Sequence, residues 1–286
     1  MISLPSPLII DRLLQDWLLE DIGRGDCTTQ GLFGFGGETT INKAVWVVKE
    51  DGVVAGLPIA ARVFKLLDKD IDFLPAVKEG GFCSSETTIA TLEGSRSALL
   101  TGERVALNLA MRLSGIATAT RSYVEKIGDL PAKLVDTRKT TPGLRVLEKY
   151  ATRVGGAINH RMGLDDAVMI KDNHIQAVGG IDKAIALLRN NIAYPLSIEV
   201  ETSNLEEVKA ALQYGVDIIM LDNMSPEKMV QAVEIIRNTS KRVKIEASGN
   251  ITLETIRTVA ETGVDYISSS APITRSHWLD LSMRFV

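Results

Sequence analysis

Short apolar runs rich in β-branched residues recur through the second half of the chain. Each ends in a charged or small polar residue and is followed by a stretch with helical spacing. The runs are AKLVDTR (132–138), AVMIKDN (167–173), LSIEVET (196–202), DIIMLDN (217–223), VKIEASG (243–249) and DYISSSA (265–271). From Glu201 onward their ends recur at about 20–25 residues, the length of one strand–helix unit. Nearly continuous apolar strands fit a sheet covered on both faces. Between them, Ser203 is placed to cap a helix over SNLEEVKAALQYG, with Glu206 at the capping-box position and Gly215 just past the end. Ser225 and Pro226 open the next helix, and Thr252 opens ITLETIRTVAETG, closed by Gly263. The joints YGVD (214–217) and TGVD (262–265) are near copies, each leading from a helix into a buried strand. Repeated joints of this kind mean parallel β/α units, hence a barrel or a doubly wound sheet.

The first part follows another pattern. Leu13, Leu14, Trp17 and Leu18 share helical spacing, whereas NKAVWVVKEDGVVAG, DFLPAVKEGG and TTIATLEG alternate as short strands between glycine turns. Two longer helical segments follow, SRSALLTGERVALNLAMRLSG and ATRSYVEKIG. We expect an α/β protein: a smaller N-terminal α+β domain over residues 1–112 and a β/α barrel over 113–271. The junction falls near 112–116, and the tail 272–286 packs with the first domain.

Composition narrows the function. With 286 residues, 45% hydrophobic and 24% charged, the chain has ordinary globular composition. A net charge of −4 argues against nucleic acid as a partner. No apolar stretch reaches the roughly 18–20 uncharged residues a membrane helix needs. The opening residues carry neither a basic leader nor a small-residue cleavage site, so a mature cytoplasmic protein is expected. Cys27 and Cys83 are far apart and outside any CxxC or Cys/His cluster, which points to inert thiols in a reducing compartment.

Against that acidic background, cations crowd between Asp136 and His174: Arg138, Lys139, Arg145, Lys149, Arg153, His160, Arg161, Lys171 and His174. A solvated basic face is the plain alternative, but these cations recur at the ends of apolar runs rather than along a helix flank. Such a set suits a small, heavily anionic substrate.

In parallel β/α folds chemistry collects at the C-terminal strand ends. There the chain places Asp136, Arg138 and Lys139; Lys171, Asp172 and Asn173; Glu199 and Glu201; and Asp222 and Asn223. Glu246, Ser248, Gly249 and Asn250 come next, then Ser268, Ser269 and Ser270. SGNITLE on the penultimate strand fits a phosphate site, because glycine admits backbone N–H groups and a following helix offers unpaired ones. Glu201 and Asp222, on neighbouring strand ends, suit Mg²⁺, ribose hydroxyls or a sugar carbon turning cationic. Balancing nearby cations is their plain alternative. His174 and His277 are expected to be structural. No serine or cysteine sits in a nucleophile elbow, and GxGxxG and Walker-type loops are absent.

These strings together resemble the quinolinate phosphoribosyltransferase family. The likeness is carried by LLEDIGRGDCTT, VVAGLPIAARVF, GERVALN, DTRKTTPGLR, GGAINHRMGLDDAVMIKDNHI, IEVET, IMLDN, EASGNI and VDYIS. The resemblance implies an incomplete barrel with a small N-terminal domain, paired head to tail as a homodimer whose active sites are shared; some members form hexamers. It implies that quinolinate and 5-phosphoribosyl-1-pyrophosphate are the substrates and that Mg²⁺ accompanies the second. Arg104 would enter the neighbour's site, and Thr137, Arg138, Lys139, His160, Arg161 and Lys171 would hold quinolinate. Glu201 and Asp222 would face the ribose and the metal, directly or through water. Ser248, Gly249 and Asn250, with Ser268, Ser269, Ser270 and Ala271, would hold the 5-phosphate. Lys139, Lys171, Glu201 and Asp222 would be catalytic. Where the family usually shows Val-Gly-Ala, this chain has SSSAP, with serine hydroxyls as substitute donors. A molybdenum-operon pyrophosphorylase-like relative and a non-catalytic anion-binding regulator are the alternatives.

Overall fold

A computed structural model describes residues 4–34 and 40–286. Contacts group the chain into two units: Met1–Arg121 with Val146–Gly156 and Arg275–Val286, and Ser122–Arg145 with Ala157–Thr274.

In the first unit, α1 (Pro7–Ile22) buries Ile10, Leu14 and Leu18, one face of a helix at four-residue spacing. Helix α2 (Cys27–Phe33) is capped by Asp26, which accepts from Thr29 N–H. Strands β1 (Ile41–Val48), β2 (Gly52–Val53), β3 (Asp72–Pro75), β4 (Phe82–Cys83) and β5 (Thr88–Ser95) follow, with α3 (Leu57–Leu67) after β2. The last strand, β12 (Leu281–Phe285), returns to pair with β1, giving an antiparallel sheet in the order β12-β1-β5-β3. Trp46, Phe64 and Phe73 meet inside this unit, with Trp46 edge-on to Phe73 at 5.4 Å between centroids.

One 31-residue helix, α4 (Arg96–Lys126), replaces the two segments expected, so the junction placed at 112–116 falls inside it. Gly115 does not end the helix. It lets the chain near His277 and Trp278 approach, because a side chain there would strike the His277 carbonyl. Helix α5 (Arg145–Gly155) carries Arg145, Lys149 and Arg153 at four-residue spacing, so three of the clustered cations do lie along a helix, contrary to expectation. Lys149 and Glu148 are fully buried, and Glu148 pairs with Arg112 at 2.7 Å.

The second unit realises all six expected strands as β6 (Lys133–Val135), β7 (Val168–Ile170), β8 (Ile198–Thr202), β9 (Ile218–Asp222), β10 (Lys244–Ser248) and β11 (Tyr266–Ser268). They form a parallel sheet in the order β6-β11-β10-β9-β8-β7, a barrel left open between β6 and β7. Residues 157–160 run beside β6 through a single bridge from Ile158 to Val135. The intervening helices are α6 (Asp172–Val178), α7 (Ile181–Asn191), α8 (Leu205–Gln213), α9 (Pro226–Thr239), α10 (Ile256–Ala260) and α11 (Ala271–Thr274). Ser225 caps α9 as expected. The α8 cap is one residue later than expected: Asn204 accepts from Glu207 N–H, and the Glu207 carboxylate reaches back to Ser203 N–H. Helix α10 is shorter than ITLETIRTVAETG suggested, because Thr252 and Thr255 bond each other in a turn before it.

Register separates the faces of this sheet. Leu134, Ile170, Ile198, Val200, Ile219, Leu221, Ile245, Ala247 and Ile267 join Val208, Met229, Ala232, Ile236 and Ile256 from the helices in the core. The opposite face carries Met169, Glu199, Glu201, Met220, Asp222, Glu246, Ser248 and Ser268. The barrel interior is therefore polar, and one step of two residues along a strand moves from its floor to its mouth.

Candidate active site

At the mouth, Lys171, just past β7, donates from Nζ to Glu201 Oε2 near the end of β8. Lys171 N–H also donates to His174 Nδ1 at 3.1 Å, which gives His174 the structural role expected of it. Asp222 ends β9, and its Oδ2 accepts from Asn223 Nδ2 at 2.6 Å. Across the next gap, Asn250 Nδ2 donates to Asn223 Oδ1 at 3.2 Å.

The other side of the mouth is cationic. Arg138 and Arg161 are both half-buried, and the Arg138 charge reaches Arg161. Burial first, then that neighbouring charge, lowers the Arg161 pKa against the pull of Glu199 and Asp166. The Arg161 guanidinium donates to Ala167 O at 3.0 Å and to Met169 Sδ at 3.6 Å. Lys139 is exposed, and its N–H donates to Thr137 Oγ1 at 3.0 Å. Arg145 bonds Thr140 Oγ1 and Met162 O, bracing this loop against the segment after Arg161.

On the floor, His160 meets two buried carboxylates. Its Nε2 lies 3.2 Å from Glu199 Oε2 and 3.4 Å from Glu246 Oε2. Asp136, only 2% exposed, holds this segment by accepting from Asn159 Nδ2 and His160 N–H. Burial disfavours a charged ring, but the hydrogen bonds to Glu199 and Glu246 and their charges outweigh it and push the His160 pKa up to about 10. Burial, with the nearby Glu246 charge, raises the Glu199 pKa. Arg161 N–H donates to His160 Nδ1 at 2.7 Å, a contact suited to the singly protonated ring and the one that loosens when a second proton arrives. The trio has the composition of a metal site. However, a metal on Nε2 would have to displace the proton that Glu199 and Glu246 hold there. We read it as a hydrogen-bonded proton site.

The phosphate-binding candidates differ among themselves. Gly249 has φ +101 and Asn250 φ +51, turning the backbone sharply after β10. Ser268 Oγ donates to Ala247 O and Ser269 Oγ to Ile251 O, so these hydroxyl protons are engaged within the barrel; both serines are buried. Ser269 Oγ also accepts from Ala271 N–H, while Ser270 O accepts from the N–H groups of Ile273 and Thr274. Arg104 lies exposed on α4 in the first unit. Sequence reasoning left Glu199, Glu246, Asn223 and Arg145 without a role. For Glu199 the signal was its two-residue spacing from Glu201 on an otherwise apolar strand.

A barrel whose polar interior joins paired guanidinium groups to carboxylates at its mouth defines an enzyme class that handles small, multiply charged anions. The particular family follows from the chain itself. Residues 26–114 match the model of the quinolinate phosphoribosyl transferase N-terminal domain and residues 116–284 that of the C-terminal domain; this chain belongs to the quinolinate phosphoribosyl transferase family. It is 61% identical over its full length to a probable nicotinate-nucleotide pyrophosphorylase [carboxylating] of Synechocystis sp., covering 96% of that protein. It is 44% identical to the probable enzyme of the same name from Bacillus subtilis, over 96% of this chain and 93% of the relative. Its fold matches the crystal structure of NadC from Streptococcus pyogenes with a TM-score of 0.92, 43% identity and 99% coverage of both chains. These matches do not favour the molybdenum-operon alternative.

Proposed function

We propose that this chain transfers the phosphoribosyl group of 5-phosphoribosyl-1-pyrophosphate to quinolinate with decarboxylation, yielding nicotinate mononucleotide, pyrophosphate and CO₂ in NAD biosynthesis. It is a pentosyltransferase. The observation that carries the site assignment is that Arg138 and Arg161 are both half-buried within electrostatic reach, so that the Arg138 charge adds to burial in lowering the Arg161 pKa, a cost that an anion between them relieves. A dicarboxylate supplies that anion, and guanidinium forks match carboxylates in pairs. Thr137, Lys139, His160 and Lys171 complete the quinolinate end.

Glu201 and Asp222 take the ribose. Both are partly exposed at neighbouring strand ends, hard oxygen donors of the kind Mg²⁺ takes while keeping most of its waters. When bound, Mg²⁺ would offset charge on the departing pyrophosphate. Glu201 and Asp222 favour the ribosyl centre as it turns cationic, while the arginines aim the pyridine nitrogen at it. After ring alkylation, loss of the 2-carboxylate leaves a carbanion beside a cationic nitrogen, and Lys139 or Lys171 steadies the charge. Ser248, Gly249 and Asn250, with Ser270 and Ala271, face the 5-phosphate, whereas Ser268 and Ser269, expected to donate to it, have their hydroxyls turned to Ala247 O and Ile251 O and brace the loop instead.

The working form is a cytoplasmic homodimer, or a hexamer, in which Arg104 of one subunit serves the neighbour's site. Among the described residues no helix is long and apolar enough to cross a membrane. Incubation with both substrates and Mg²⁺ should release CO₂ and pyrophosphate together. Binding without either product would favour a regulator on this fold. In Arg161→Ala, kcat/KM for quinolinate should fall at least about thirtyfold.

A further inference from the structure

Among the described residues, Glu86, Asn223 and Asn250 have positive φ without being glycine. Asn223 and Asn250 face each other across the ends of β9 and β10, at φ +53 and +51. Asparagine tolerates this region better than most residues, yet it still carries strain that glycine does not. A strained pair at the mouth of a barrel, both members exposed, needs a reason beyond packing.

The contacts supply one. Asn223 N–H donates to Ser248 O at 2.9 Å, extending the β9–β10 ladder one residue past its end. That places its carboxamide between two groups. Nδ2 donates to Asp222 Oδ2 at 2.6 Å, and Oδ1 accepts from Asn250 Nδ2 at 3.2 Å. An ionised carboxylate only accepts, so the Asn223 atom facing it must be nitrogen. The oxygen then faces Asn250, which must offer its own nitrogen. One charged acceptor thus fixes the sense of both amides. Gly249, at φ +101, leaves room for this carboxamide: a Cβ there would lie 2.6 Å from Asn223 Cγ and 2.9 Å from Asn223 N.

We propose that Asn223 is a positioning residue that ties the Asp222 carboxylate to the 248–250 turn, so that the ribose and 5-phosphate sites are set as one unit. The inference rests on the reading of Asp222 and residues 248–250 as the phosphoribosyl end of the site. Asn223 fixes the rotation of the carboxylate through Nδ2 and the angle of the turn through Oδ1. The quinolinate end, built from β6, β7 and residues 159–161, shares none of these bonds.

Asn223→Gly separates this role from a structural one, because glycine relieves the positive-φ strain while deleting the carboxamide. Its melting temperature should equal or exceed that of the parent. Its KM for 5-phosphoribosyl-1-pyrophosphate should rise about tenfold, with KM for quinolinate within about twofold. Asn250→Gly should show the same split to a smaller degree, and it serves if Asn223→Gly folds poorly. Asp222→Asn is the control for the underlying reading and should lose most phosphoribosyl transfer. Parental KM values in both glycine variants, with Asp222→Asn impaired, would overturn the proposal and leave the site standing. Full activity in Asp222→Asn would remove the reading beneath it.

Discussion

Lys171 Nζ and Glu201 Oε2 form an ion pair across the ends of two adjacent strands, β7 and β8, at the barrel mouth. The lysine side chain is 45% exposed and the glutamate 19%, so the pair sits where ligand and solvent compete for it. Each partner holds the other's charge in check while no substrate is present. Removing Lys171 therefore deletes a cation proposed to hold quinolinate and also leaves Glu201 without this partner. Lys171→Ala should lower kcat/KM by at least about thirtyfold, roughly 2 kcal/mol of transition-state stabilisation. Because the two touch, Lys171→Ala and Glu201→Ala should not add: the double variant should be less impaired than the product of the singles. Strict additivity in steady-state rates would mean the pair does not operate during turnover.

The proposed sharing of active sites between subunits makes a separate prediction. Arg104 is exposed on α4 of the first unit, whereas Lys171 belongs to the barrel. Subunits carrying Arg104→Ala and subunits carrying Lys171→Ala should each be nearly inactive alone. After mixing and exchange, a mixed dimer holds one site with both defects and one with neither, so activity should return toward half of the parental value per dimer. Proven exchange without recovery would show that each chain builds its site from its own residues.

The six parallel strands were legible because each is a compact apolar run closed by a polar residue, and buried strands permit little else. The single helix α4 was not. Gly115 reads locally as a terminator, and only the approach of the chain at His277 explains a glycine inside the helix. The α8 cap slipped because Ser203 and Asn204 are both good caps with a glutamate three residues on, and local sequence does not choose between them. The mouth residues Lys171, Glu201 and Asp222 were readable from strand ends. The floor was not, because placing His160 against Glu199 and Glu246 depends on the path of residues 157–160 beside β6, a long-range bridge invisible to periodicity.

That floor gives a pH dependence with a definite sign. The His160 pKa stands above its ordinary 6.5, at about 10, because Glu199 and Glu246 reward the charged ring more than burial penalises it. A group whose folded pKa is raised contributes stability in full below its unfolded pKa and loses it as pH climbs through the folded one. Wild type should therefore exceed His160→Asn in melting temperature most clearly near pH 6, with the gap narrowing as pH approaches about 10. The raised pKa of Glu199 acts in the same sense, its contribution also being lost as pH rises, so the comparison with His160→Asn is read as a difference between the two proteins at each pH. Parallel melting curves across that range would mean that the two acids do not hold the ring's proton.

Gly249 offers the sharpest test of the phosphoribosyl end. Its φ of +101 lies where a side chain is strained, which sets a cost of about 1–3 kcal/mol for alanine before any contact is counted. A Cβ would also enter the space held by Asn223, at 2.9 Å from its backbone nitrogen. The backbone at Asn223 is pinned by its bond to Ser248 O, so the turn rather than the strand must move. Moving the turn shifts the N–H groups offered to phosphate and disturbs the Asn250–Asn223–Asp222 chain of bonds. Binding of quinolinate should survive, since Arg138, Arg161 and Lys171, the residues proposed to hold it, lie outside this turn. Gly249→Ala should accordingly melt several degrees lower and raise KM for 5-phosphoribosyl-1-pyrophosphate by at least about tenfold, with KM for quinolinate little changed. Equal losses for both substrates would show that the turn supports the barrel as a whole rather than one end of its site.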